Sequence, residues 1–158
     1  MQINEDGTTY LSRQGLVVSK IPPKDEGTAT AWAYYSLSDQ HKYEEASQLL
    51  EGYGTSDPTS LYYKYVGKGR PYLEEVEQAK LLRWADITAV APKEIEDEGA
   101  YAYKVVYLEM SFKTKGTLTA QQTDMKNGVN IYAIHVRQDA PGCEWKISMF
   151  GGAPPMEG

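Results

Sequence analysis

Apolar positions recur along this chain first at three-to-four spacing and later at a spacing of two. Ala31, Tyr34, Tyr35 and Ser38 predict one helix, starting near Thr28 and ending at about Ser38. Tyr43, Ala46, Ser47 and Leu50 share a face of a second helix, from about Tyr43 to Glu51, which Gly52 and Gly54 terminate. Pro71 suits the start of a third, over residues 72–82. Its glutamates Glu74, Glu75 and Glu77 come early and Lys80 and Arg83 late, as the helix dipole favours. Residues 61–66 fit either a strand or a single helical turn.

From Trp84 onward the period is two. Ile87, Ala89 and Ala91 alternate with Asp86, Thr88 and Val90 as far as Pro92. Residues 101–113 are the clearest strand and, with apolar side chains on both faces near the middle, a central one. Asn127-Gly128 is turn chemistry. It leads into a strand over 129–137, and 143–150 closes the set with Trp145, Ile147 and Met149 on one face. Ahead of the helices, Tyr10-Leu11 and Leu16-Val17-Val18 flank Gly15 and predict a short hairpin or edge strand. Pro22-Pro23 then breaks regular structure. The predicted organisation is an N-terminal arm (1–27), one α+β domain (28–152) and a loose tail (153–158). At 158 residues the chain suits one domain with one core.

Three helices followed by a four-stranded meander resemble the nuclear transport factor 2-like superfamily, the cystatin-like α+β cone, in an uncharacterised bacterial branch. Two local patterns carry the resemblance. Residues 31–50 hold the paired aromatics Tyr34 and Tyr35 and then Tyr43-Glu44-Glu45-Ala46, similar to that group's opening helical pair. Cys143-Glu144-Trp145-Lys146-Ile147 is similar to its final strand. The resemblance implies N-terminal helices packed against a curved, cone-like antiparallel sheet. Some members of the superfamily place acid–base residues inside the cone, as in ketosteroid isomerases and scytalone dehydratases. Others serve in conjugative-transfer secretion assemblies.

Composition narrows the partners. Twenty-two acids against sixteen bases give a net charge of −6. Residues 1–62 carry nine acids and four bases, and no arginine-rich stripe follows, so nucleic acid is not an expected partner. No apolar run reaches the length of a membrane span, and direct membrane insertion of this segment is not expected. Residues 1–7 lack the basic and apolar regions of a secretion signal. The expected compartment is extracytoplasmic if a leader or anchor has been trimmed away, and cytoplasmic otherwise. Cys143 is the sole cysteine; it permits no intrachain disulfide and reads as a small buried hydrophobe at a strand start.

Candidate chemistry is sparse. No glycine-rich phosphate loop or H-E-x-x-H metal motif occurs, and no cofactor or metal is expected. Asp86 and Glu109 are the better carboxylate pair. Enclosed by apolar walls, either would have a raised proton affinity and could act as a general base. His135, sharing a strand face with Ile131, Ala133 and Arg137, is a third acid–base candidate. Neither carboxylate matches the catalytic motifs of the superfamily's enzymes. Among thirteen tyrosines, Tyr34, Tyr35, Tyr62, Tyr65, Tyr103 and Tyr107, with Trp84, could line a pocket between helices and sheet or fill a core and a subunit interface. The resulting expectation is a non-catalytic domain binding a small apolar ligand or a protein partner, forming a homodimer, as an accessory part of a bacterial surface or secreted protein. An assembly subunit and a small cofactor-independent lyase or isomerase are the alternatives.

Overall fold

The computed structural model describes residues 9–12, 15–54, 61–62, 76–91, 94, 98–115 and 126–153. The chain enters through two three-residue strands, β1 (Thr9–Leu11) and β2 (Val17–Ser19). Helices α1 (Glu26–Asp39) and α2 (Tyr43–Ser47) follow, and then the long strands β3 (Val76–Asp86), β4 (Ala102–Thr114), β5 (Gly128–Gln138) and β6 (Lys146–Gly152). All six strands join one antiparallel sheet in sequence order, β1 to β6.

That topology corrects the cone. The sheet is open and uncurled; β1 and β6 are its two edges, and among the described residues two short helices, α1 and α2, accompany it. The likeness to the nuclear transport factor 2-like, cystatin-like superfamily therefore does not hold, and the curved, cone-like packing it implied is absent. Helices first and sheet after was also too simple an order, because the first two strands, in the segment read as a short hairpin or an edge strand, pair with each other, and β2 pairs with β3 through Val18–Ala85 and Ser19–Trp84. Gly15, at φ +82°, makes its turn.

The predicted third helix is a strand over most of its length. Residues 72–75 lie outside the described residues, but Val76–Asp86 is β3. The misreading has a physical source. Register shifts between Val76 and Gln78 and between Leu81 and Arg83 each disturb the alternation by one residue. Val76, Ala79, Leu81 and Trp84 consequently meet the same cluster at spacings of three, two and three. Two bulges made a strand look helical. Beyond β3, residues 88–90 form a turn, where the alternation had suggested that the strand continued. The later strands match closely, 102–114 against 101–113 and 128–138 against 129–137.

Helix α1 begins at Glu26, two residues earlier than Thr28. Asp25 is the N-cap: its Oδ2 accepts from Thr28 N at 3.2 Å and from Lys104 Nζ on β4 at 2.6 Å. One carboxylate thus starts the helix and ties it to the sheet. The Lys104 hydrogen bond, helped by the bond from Thr28 and opposed by partial burial, holds Asp25 below the ordinary carboxylate range. Asp25→Ala is expected to lower stability by about 1 kcal/mol, the usual worth of a cap, measured by urea unfolding near neutral pH. A change below roughly 0.3 kcal/mol would show that the cap and tie are not made in solution.

Gly27, Thr28, Ala31, Tyr34, Tyr35 and Ser38 form the buried stripe of α1. They cover one face of the sheet, where Val106, Leu108, Met110, Phe112, Tyr132, Ile134, Val136 and Ile147 complete the main core. Tyr35 is at its centre, with ring centroids 5.1 Å from Tyr34, 5.5 Å from Phe112 and 6.0 Å from Tyr132, the last pair stacked. The opposite face carries a smaller cluster of Val18, Ala85 and Tyr107, flanked by Leu16, Ile87, Ile131 and Ala153.

The helical connection is anchored as well. Asp39 Oδ1 accepts from Ala79 N at 2.9 Å, and Tyr43 Oη donates to Val76 O at 3.3 Å. After α2 the chain passes along β6. Ile147 N donates to Leu49 O at 2.7 Å and Glu51 N donates to Ile147 O at 2.8 Å, which blunts that sheet edge near its start.

Candidate functional site: a groove between the helices and the turn into β6

Strand parity separates the residues in which the sequence suggested acid–base chemistry. Glu109 faces away from α1, in register with Arg83 and Ile131, whereas Asp86 ends β3 on the other side, in register with Val106. Glu109 is bound in a fork. Arg83 donates from Nε to Oε2 at 2.6 Å and from Nη2 to Oε1 at 2.7 Å, and Tyr107 Oη donates to Oε1 at 2.5 Å. Burial alone pushes the Glu109 carboxyl up, but the Arg83 and Tyr107 hydrogen bonds and the Arg83 charge outweigh it, and the group is held below its ordinary value. A carboxylate so occupied is a poor proton acceptor. Asp86 is exposed and shapes the turn after β3, accepting from Thr88 N at 3.0 Å and Thr88 Oγ1 at 2.5 Å.

His135 is buried on the same face as Glu109, but four register positions away, opposite Val105. At a strand rise of 3.3–3.4 Å per residue this is about 13 Å along the sheet. The structure brings neither carboxylate to the histidine.

The aromatic candidates divide likewise. Tyr34 and Tyr35 are core residues beneath α1. Trp84 packs at the margin of the same core and donates Nε1 to Ile21 O at 2.6 Å. Tyr62 packs against that core and meets Tyr53 edge-on at 5.2 Å. Tyr103 and Tyr107 project from the opposite face, in register with Arg137 and Ala133. Tyr65 lies outside the described residues. The six described members therefore do not line one pocket, because the sheet itself stands between two groups of them.

A concave surface lies elsewhere. Helix α1 turns a second stripe outward, Glu26, Ala29, Thr30 and Ala33, again at three-to-four spacing. Glu45, Gln48, Leu49 and Tyr53, on α2 and the turns after it, make the second wall, and Gly142–Lys146 the third. Together they enclose an open groove of about 660 Å³. Gly142, at φ +81°, allows the third wall to turn.

Gly27 sets how closely that wall approaches α1. A Cβ placed there would lie 3.2 Å from Cη2 and Cζ3 of the Trp145 indole and 3.1 Å from Lys104 Cδ. Bare backbone at Gly27 lets the indole pack against the helix. Cys143, read from sequence as buried, is exposed in this wall because it precedes β6 and does not belong to it. Trp145, Ile147 and Met149 do not share a face either. A register shift between His135 and Val136 places Ile147 opposite Val136 on the helix side and Met149 opposite His135 on the other.

The groove is acidic. Glu26, Glu45 and Glu144 border it against one base, Lys146, whose Nζ is 3.2 Å from Glu144 Oε2 and donates to Gln48 O at 2.6 Å. Neither the Glu26 nor the Glu45 carboxylate is in an ion pair among the described residues. In the second wall, Tyr53 donates to Glu44 Oε1, and this bond raises the tyrosine above its ordinary value. Among the described residues, no group of three or more His, Cys, Asp or Glu is placed to hold a metal ion, and no helix is long and apolar enough to cross a membrane. No single sequence motif marks this groove. The acidic excess of residues 1–62 was visible, but its meeting with the turn at 142–146 depends on the fold.

The described residues define an α+β architecture with two helices on one face of an open six-stranded antiparallel sheet. No protein-family model, curated protein or solved structure matches the chain.

Proposed function

We propose that this chain is a non-catalytic binding domain, and that a small ligand or protein partner docks in the groove between α1, α2 and the turn into β6. The observation that carries the reading is the groove's construction. Three separate segments converge on it, lining it with apolar positions (Ala29, Ala33, Leu49, Trp145) and with carboxylates. An apolar lining with a few polar groups is the usual composition of a binding site. The contrast with Glu109 supports the same reading, since Arg83 and Tyr107 already occupy its oxygens.

Amide NMR with three small probes, n-butylammonium, butyrate and p-cresol, tests the location. At least one is expected to give saturable shifts concentrated at Gly27, Ala29, Ala33, Leu49 and residues 142–146. Saturable shifts centred on Arg83 and Glu109 would move the site to the opposite sheet face and overturn the assignment. Substrate turnover abolished by Glu109→Gln in a folded protein would overturn the non-catalytic reading.

A further inference from the structure

We infer that the occupant of the groove is a lysine- or arginine-bearing segment of a protein partner; the inference rests on the binding reading above and narrows its chemistry. Charge is the first argument. Three carboxylates face one lysine, which Glu144 already neutralises, so Glu26 and Glu45 leave the groove two charges negative. These two acids stand on different helices, and both line the groove. The whole chain, at −6, adds a long-range field of the same sign that speeds the approach of a basic partner.

The apolar lining comes second. The Trp145 indole, packed on Gly27, lines the groove together with the carboxylates. Lysine and arginine suit that combination because their alkyl stems cover apolar surface while their heads stay with the acids. A cation over a tryptophan face gains further attraction, and guanidinium–carboxylate bonds are among the stronger hydrogen bonds. Shape is the third. The groove is open to solvent, whereas pockets for small molecules bury most of the ligand surface. An extended chain segment crossing from Glu26 to Glu144 uses such an opening; a compact amine leaves most of it wet.

Calorimetry and amide NMR on the intact chain test this with four probes: a seven-residue peptide alternating lysine or arginine with leucine, its glutamate counterpart, n-butylammonium and butyrate. The basic peptide is expected to bind and to shift Gly27, Ala29, Leu49 and residues 143–145, while the acidic peptide does neither. Exposed Glu26 and Glu45 can be neutralised together without disturbing the core, and Glu26→Gln/Glu45→Gln is expected to weaken the basic peptide roughly tenfold. Raising salt to 0.5 M should weaken it similarly in the unmodified protein. Circular dichroism checks that the double variant is folded. Equal binding of both peptides, or affinity indifferent to the double variant and to salt, overturns the inference. So does n-butylammonium binding as tightly as the peptide, which assigns the groove to a free amine. If butyrate fills the groove and the basic peptide does not, this inference falls and the binding-domain reading stands. If no probe reaches the groove, both fall.

Discussion

Tyr35→Ala is expected to destabilise the protein by about 3–5 kcal/mol, the cost of deleting a large aromatic from a packed interior. Tyr35 is 3 % exposed and its ring meets Tyr34, Phe112, Tyr132 and Phe150. Those rings come from α1, β4, β5 and β6, so truncation leaves a void where four elements meet, and the sheet cannot close around it without shifting the helix. Chemical unfolding of both proteins measures the difference. As a control, Tyr101→Ala should change stability by no more than about 0.5 kcal/mol, since Tyr101 is 61 % exposed. The experiment also separates two roles for the ring. If Tyr35 lined an accessible pocket, its loss would be tolerated, and a cost below about 1 kcal/mol would sink the core assignment.

Breaking the Arg83–Glu109 fork is expected to have an effect of comparable size. Their side chains are 15 % and 12 % exposed, and Glu109 depends on Arg83 for two of its hydrogen bonds. Arg83→Met leaves a mostly buried carboxylate with only Tyr107 facing it among the bonds described, at a cost of about 3 kcal/mol. Adding Glu109→Leu should recover most of that loss, because the desolvated charge is then gone. Recovery of less than half in urea unfolding of the single and double variants would show that packing, not charge, holds this part of the sheet.

The same pair predicts a pH dependence. Folding depresses the Glu109 pKa below its ordinary value of 4.5. The stabilisation is therefore complete above the unfolded-state value and is lost as pH falls through the lower folded-state one. Asp25 acts with the same sign from its ordinary value of 3.8. Stability should be flat from neutral pH to about 5 and then decline, with a shallower decline in the Arg83→Met/Glu109→Leu protein. Identical acid limbs would show that Glu109 is not perturbed in the folded state.

The candidate site was scarcely legible in sequence. Tyrosines and carboxylates drew attention as residue types able to do chemistry, but type does not tell which side of a sheet a side chain occupies. Tyr35 and Tyr107 illustrate this; each is buried, one under the helix and one on the opposite face. Glu109 had the alternating position of an ordinary strand residue, and only the register against β3 shows that Arg83 reaches it. Glu26, Glu45 and Glu144 are unremarkable as surface acids until three segments distant in the chain are placed side by side.

What the sequence determined by itself is the local structure whose signal lies within one element. The α1 stripe at 31, 34, 35 and 38, the N-terminal turn at Gly15, and β4 and β5 all follow from short-range pattern and turn chemistry, and all are present. Tertiary structure decided the rest. In β3 two bulges, accommodated by the partner strand, turned a period of two into a spacing that mimics a helix. Whether the sheet closes depends on strand pairing far along the chain; β1 joins β2, β6 is met by residues 49–51, and the two edges remain apart. Cys143 and Trp145 sit in the wall of a groove because they precede β6, and the bare backbone of Gly27 lets the Trp145 indole pack against α1. Pattern along a chain encodes which faces are apolar; it does not encode which distant face will cover them.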